Sequence, residues 1–431
     1  MKKVLIAILG LLTLAAASSF ATQTRTLVMG QNDMIMVDDF NMFRFPGRVN
    51  NYPNLALAEF VGDSEFYHFG VTWQFNEDNT PWVLGTFVSY FPQYGPVNFD
   101  GYDMADFDYY GYPWFDDYWY DFDRAPGITE ELSEDYPRRL HAIFGTKLGG
   151  NNFGFSAEVV RASWEAKEDS GAVWPVDIAP KQSFHQYTFG LGLTEGTSGK
   201  WDVGLSFMIG GWTNENADGD KVNEPSGFMD LILNGRYFMV QNPKITFVPH
   251  ATFGIGKRGV EWLRDPASAT DNTKGEWSGM MFDLGFGMNY TPAPNMLAVI
   301  DFGFSRDAVK GEFSGDTTLI DVGEHKESYF VFPYMKIGFE GEVFNWMDIR
   351  AGGYTTLWSN VEKIESDFVV DQKWNTPSID TYFGFGFNWG KLYLDTYTNP
   401  ELLIRGLNFI SGDQDDASDM NWMVSMVYEM F

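Results

Sequence analysis

From about residue 66 onward the chain repeats one unit: about ten residues in which apolar and polar side chains alternate strictly, then a break that is by turns very short and long. Between Met280 and Tyr290, for example, Met280, Phe282, Leu284, Phe286, Met288 and Tyr290 share one parity. Met281, Asp283, Gly285, Gly287 and Asn289 share the other. Successive side chains of a strand point to opposite faces, so such a segment has one apolar face and one that is small or polar. Ile379 to Trp389 repeats the arrangement, as do Trp201 to Ile209, Tyr187 to Leu193, Ile245 to Ile255 and Ala298 to Phe304. A soluble sandwich also alternates, but its packed core must form where apolar faces meet. Here the face opposite the Phe, Leu, Ile and Met residues is mostly Gly, Ser, Thr and Asp, which cannot pack as a core.

The pattern predicts an all-β fold, a closed antiparallel transmembrane β-barrel with tight periplasmic turns and long outer loops. The short breaks fall near 76–81, 149–152, 196–200, 241–244, 291–295, 341–345 and 389–390, all of turn-forming composition. The long ones fall near 91–138, 165–182, 212–225, 259–275, 309–326, 359–375 and 398–418. About 14 strands are expected, with 16 as the alternative if Leu55–Val61 and Phe66–Phe75 form a further hairpin. An even number leaves both termini on the periplasmic side.

The N-terminus reads as a secretory signal over 1–21, with Lys2 and Lys3, an apolar run from Val4 to Ala17, and a Ser19-Phe20-Ala21 cleavage site. Residues 22–54 then form a separate N-terminal segment and 55–431 the barrel. After the signal, no apolar run approaches the length of a membrane-spanning helix. Aromatic residues make up 17% of the chain and glycines number 45, as a barrel with an aromatic outer belt and a small-residue interior requires. With no cysteine there is neither a disulfide framework nor a thiolate metal site, and no metal or cofactor is expected. A formal charge of −30 argues against nucleic acid as a partner. The expected partners are outer-membrane lipid, the barrel-assembly machinery and a small-molecule or glycan ligand.

The final residues, Trp422 to Phe431, resemble the assembly signal of bacterial outer-membrane proteins, though Phe431 is out of phase with Trp422, Val424, Met426, Tyr428 and Met430. A bulge at Glu429 would restore the phase. The segment before the first strand, with Phe45-Pro46-Gly47 where an Asn-Pro-Ala-like element would stand, resembles the N-terminal region of the long-chain fatty-acid transporter (FadL-like) superfamily. That resemblance implies a 14-stranded barrel, a lumenal hatch and passage of hydrophobic molecules. Asp38, Asp39, Arg44, Pro46, Gly47 and Arg48 are then the hatch residues. The alternative reading of the same segment is an ordinary periplasmic lead-in.

Inward parity assigns Asp230, Asp283, Asp301, Asp348 and Asp380 to the lumen, with Arg236, Lys336 and Arg350; Glu158, Asp202 and Asp395 share that face. These charges either tune an open, cation-favouring pore or close it with internal ion pairs, for which Asp230 with Arg236 and Asp348 with Arg350 are candidates. The first long loop carries Tyr102, Tyr109, Trp114, Trp119, Asp116 and Asp117, aromatic platforms beside carboxylates that suit a lid or a glycan contact. No nucleophile motif surrounds His250, which clean alternation places inward, so no enzymatic activity is expected. Three functional readings remain: passive or hatch-gated passage of small molecules through an outer-membrane barrel, surface binding or adhesion through the aromatic-acidic loop, and a structural barrel that anchors a partner complex.

Overall fold

The computed structural model describes residues 23–61, 66–76, 81–90, 138–165, 181–196, 199–215, 221–262, 273–314, 324–365, 370–398 and 422–430. The strands are β1 (Leu55–Val61), β2 (Phe66–Phe75), β3 (Trp82–Tyr90), β4 (Arg138–Leu148), β5 (Asn151–Glu165), β6 (Lys181–Glu195), β7 (Trp201–Glu215), β8 (Lys221–Tyr237) and β9 (Met239–Asn242). They continue as β10 (Ile245–Trp262), β11 (Thr273–Tyr290), β12 (Met296–Ser314), β13 (Glu324–Phe344), β14 (Met347–Glu365), β15 (Val370–Trp389), β16 (Leu392–Thr398) and β17 (Trp422–Glu429). The stretch read as a signal, the aromatic-acidic loop with Tyr102, Tyr109, Trp114, Asp116, Asp117 and Trp119, and Phe431 lie outside the described residues.

All seventeen strands belong to one antiparallel sheet that closes on itself, with Leu55 of β1 opposite Glu429 of β17. β8 and β9 both lie against β10 and hold a single place in the wall. The barrel is therefore 16-stranded with one extra strand, and the expectation of 14 is corrected. The hairpin that made the difference is part of the wall: β1 pairs with β17 on one side and β2 on the other, and β2 pairs with β3. Without it β17 and β3 would present unpaired edges, which closure exists to remove. The β1–β17 register runs without a shift as far as Glu429, so no bulge occurs there.

The strands turn where the short breaks were expected, but β10 to β15 run 18–21 residues and reach into stretches read as loop. β14, for instance, continues through Val361 to Glu365. Alternation requires two faces with different surroundings. Where neither face is apolar the period disappears from the sequence, although the ladder of backbone hydrogen bonds continues.

Parity assigns the two faces as expected. Phe286 and Leu284 stand exposed on the outer wall while Gly287 between β11 neighbours is buried. Along β7, Val203 and Leu205 face out while Asp202 is fully buried. Near the short turns the outer wall carries exposed Trp82, Tyr237, Tyr290, Phe344, Trp346 and Trp389. Several of these rings stack, with Phe344 and Trp346 5.4 Å and Phe387 and Trp389 5.6 Å apart. No helix among the described residues is long and apolar enough to cross a membrane.

Residues 23–54 lie inside the barrel. They form α1 (Gln23–Val28), α2 (Asn41–Arg44) and a 3-10 turn over Pro46–Asn51. Gly30, at φ +78°, ends α1 in the left-handed region that glycine enters without strain. Pro46 opens the 3-10 turn, where a missing N–H removes no bond. Met29, Ile35 and Met36 share one buried cluster with Phe238, Val248 and Val299 of the wall. Phe40, Met42, Phe43 and Val49 share another with Val83, Phe87 and Ile143.

Candidate functional site

The segment is seated on the wall through backbone contacts that only glycine permits. A Cβ at Gly154 on β5 or Gly192 on β6 would strike the Pro46–Gly47 backbone, and one at Gly204 on β7 would strike the Arg44 carbonyl. Across the barrel, a Cβ at Gly338 on β13 would strike the Met29 carbonyl, and one at Gly352 on β14 the Val28 carbonyl and the Gly30 nitrogen. Two glycine seats on opposite sides of the wall thus hold the two ends of the segment.

Charge fixes the segment between these seats. Arg48 grips Asp202 of β7 with two bonds of 2.8 Å, and Arg236 of β8 meets the same carboxylate at 2.6 Å. Thr194 donates to it at 2.7 Å. Arg236 also donates to the carbonyls of Asp33 and Met36 and to Asn41 Oδ1, and its guanidinium lies 4.6 Å from the centre of the Phe45 ring. On the far side Arg25 makes a two-bond contact with Glu340 of β13, at 2.7 and 2.8 Å. Arg350 of β14 joins Glu340 to Asp395 of β16. Buried Glu59 of β1 accepts from the Gln23 backbone N–H at 3.0 Å and from Ser425 at 2.9 Å, and Lys336 donates to the Gln31 carbonyl at 3.0 Å.

Of the hatch residues named from sequence, Arg48, Pro46 and Gly47 make these contacts, Arg44 pairs with Asp33 within the segment at 2.8 Å, and Asp38 and Asp39 are buried. Asp230, Asp283, Asp301, Asp348, Asp380, Lys336, Arg236 and Arg350 all stand on strands of the wall with inward parity. Asp301 holds His250 at 3.0 Å, Tyr334 donates to Asp283 at 3.0 Å, and Asp348 stands 3.8 Å from Arg350. Arg236 bonds Asp202 rather than Asp230. Asp230 is six residues away on the same strand, about 20 Å at the rise of an extended chain, whereas Asp202 is its direct cross-strand partner.

The hub role of Asp202 and the parts played by Arg25, Glu59 and Glu340 were missed. Parity alone puts Glu340 on the same face as Lys336, so its orientation was readable. Its partner Arg25 is 315 residues away, and nothing local in the sequence joins them.

Two acids on the segment are held in an unfavourable state. Burial pushes Asp38 up to about 6, although a 2.7 Å bond from Thr26 and the charges of Arg25 and Arg236 oppose the rise. Burial raises Asp39 well above the usual carboxylate range, and nearby Asp38, Glu59 and Asp395 add to the rise. No side chain among the described residues donates to either Asp39 oxygen. An acid whose seated pKa is raised takes up a proton on docking. Its contribution is complete below the free value and is lost as pH climbs through the seated one. Docking should therefore be firmest near pH 4 and weaken through pH 6, with Asp38 alone changing the docking constant roughly a hundredfold. Trypsin cleavage at Arg44 and Arg48, followed from pH 5 to pH 8 and corrected for the enzyme's own profile, reads the upper part of this change, about tenfold for Asp38. Asp38→Asn with Asp39→Asn should flatten the response, and an unchanged slope would refute the assignment.

No protein-family model matches the chain, and no curated relative does. Among solved structures it is similar to CdiB from Acinetobacter baumannii, at 10% identity over 87% of this chain and with a TM-score of 0.39. It is also similar to the FrpB iron transporter from Neisseria meningitidis, at 8% identity over 87% of this chain and 81% of that one, with a TM-score of 0.33. The copper transporter OprC matches 62% of this chain and 43% of its own at 9% identity, with a TM-score of 0.41. The chain spans 59% of the length of CdiB. Likenesses this distant carry no argument about activity, and the barrel rests on its own closed ladder.

Proposed function

We propose that the chain is an outer-membrane barrel in which residues 23–54 act as a hatch, gating passive passage of small molecules, and that it carries no catalytic activity. The membrane placement is supported by the apolar outer wall and by the aromatic ring at the short-turn end, where interfacial Trp and Tyr belong. A single observation carries the hatch: buried ion pairs and glycine seats tie the segment to opposite sides of the wall.

That observation favours gated over open passage. A 16-stranded wall alone encloses an aqueous channel, but this one is occupied. Asp202, Glu340 and Asp395, which would give an acidic lumen its cation preference, are engaged by arginines. The cargo is therefore small and neutral or hydrophobic rather than ionic. The hatch agrees with the FadL-like resemblance, while the strand number departs from the 14 that the resemblance implies. The outer-loop surface-binding reading would require the lumen to stay shut permanently.

Planar-bilayer recording tests the proposal. The refolded chain from residue 22 should be almost silent in potassium chloride, and the same chain lacking residues 23–51 should give stable steps, both preparations being checked for heat-modifiable mobility. Full-length chain conducting as freely as the deletion would sink the hatch. Silence from a correctly folded deletion would move the function to the outer loops.

A further inference from the structure

On the outer wall, at the end away from the short turns, three basic side chains stand in one cross-strand row. Arg138 of β4 is directly opposite Arg161 of β5, and Arg161 is directly opposite His185 of β6. All three are exposed, in step with outward Leu140 at 55% and Phe155 at 38% exposure, while the intervening Arg139 and Val160 are buried.

Directly opposed residues have Cβ atoms about 4.5–5.5 Å apart, and like charges so placed destabilise a sheet. A chain with 59 Asp and Glu residues has ample means to neutralise such a pair. Yet among the residues whose side chains are described the row is flanked across the strands by Gly211, and along them by Leu140, Val159, Tyr187 and Ser183. None of these is acidic. No described residue of the wall relieves the repulsion, and an anion from outside the chain would.

Height in the wall points to what that is. Arg138, Arg161 and His185 are each ten residues from the short-turn end of their strands, at Leu148, Asn151 and Glu195. At about 3.3 Å per residue and the usual barrel tilt, that is roughly 25 Å, the height of the apolar band of an outer-membrane barrel. Arg306 stands exposed on the outer face at the same distance from Met296 on the far side of the barrel. The row thus lies where acyl chains end and headgroups begin.

We propose that Arg138, Arg161 and His185 form a binding site for the phosphate of a lipid headgroup in the leaflet on the long-loop side, an inference that rests on the membrane placement proposed above. Two guanidinium forks one strand apart can each present paired N–H donors to one phosphate, the geometry for which arginine is suited and lysine is not. A bound dianion converts the mutual repulsion of the row into attraction to a common centre.

The test uses the folded chain in phosphatidylcholine vesicles and in neutral detergent, with bisphosphorylated lipid A and its phosphate-free form as probes, read by native mass spectrometry. Retention of the phosphorylated lipid, weakened about tenfold or more in Arg138→Gln/Arg161→Gln, is expected. The phosphate-free lipid should bind wild type no better than the double variant does. In neutral detergent the double variant should be at least as heat-stable as wild type, because a repulsion has gone. Equal affinity for the two lipids, unchanged binding by the variant, or inorganic phosphate binding as tightly as the lipid would each overturn the site. Failure to insert into phosphatidylcholine vesicles would defeat the membrane placement and the site together, whereas insertion without phosphate preference defeats the site alone.

Discussion

Valine at both Gly154 and Gly352 should unseat the N-terminal segment and, on the gating proposed above, turn a silent barrel into a conducting one. At Gly154 the new side chain meets the Pro46–Gly47 backbone, and at Gly352 it meets the Val28 carbonyl and the Gly30 nitrogen, none of which is the far end of a flexible side chain. Overpacking of this kind costs about 1–3 kcal/mol per site, so the pair shifts the seated-to-released ratio by roughly two orders of magnitude. The wall itself should not suffer, since a β-branched residue suits a strand better than glycine does. Bilayer current and trypsin cleavage at Arg44 and Arg48 should rise together while heat-modifiable mobility stays unchanged. Gly150→Val is the control: a Cβ there meets nothing within 4 Å, and neither readout should move. A double variant as silent and as resistant as wild type would remove the glycine seats from the argument.

Removing the Asp202 carboxylate should release the segment more thoroughly still. Asp202→Ala leaves Arg48 and Arg236 facing one another in the barrel interior without the anion that both of them bond. Breaking a buried pair from one side costs about 3–5 kcal/mol, because a desolvated charge is left uncompensated. Proteolysis within residues 23–54 should accelerate by roughly two to three orders of magnitude where opening precedes cleavage. Arg48→Met combined with Asp202→Ala should recover part of the loss, since the second change removes one of the stranded charges. Asp230→Ala should leave cleavage rates near wild type, because it lies about 20 Å along the strand from Arg236. Equal acceleration by Asp202→Ala and Asp230→Ala would show that general wall charge, rather than this hub, holds the segment.

The recognition of inner and outer faces illustrates how far local pattern reaches. The parity that separates Phe286 from Gly287, or Val203 from Asp202, follows from two-residue strand geometry and a difference in surroundings, and it was readable residue by residue. The glycines were readable as inward-facing too, but their use was not. Gly352 and Gly154 look like empty lumen until the Val28 carbonyl and the Pro46 backbone are found against them. The ends of β10 to β15 were hidden for the opposite reason: the ladder there continues by backbone bonds alone, and backbone bonds leave no trace in side-chain periodicity.

The sequence by itself determined the all-β class, the antiparallel meander with its short turns, and which side chain of each strand faces in, because each of these is settled by neighbours a few residues apart. Closure at sixteen strands, the burial of residues 23–54 and the joining of Arg48 to Asp202 and Arg25 to Glu340 were decided only in three dimensions. Each brings together groups separated by 154 to more than 300 positions. A carboxylate on the inner wall has the same one-dimensional signature whether it faces water or an arginine delivered from the other end of the chain. Only the fold, by removing the water, makes the choice.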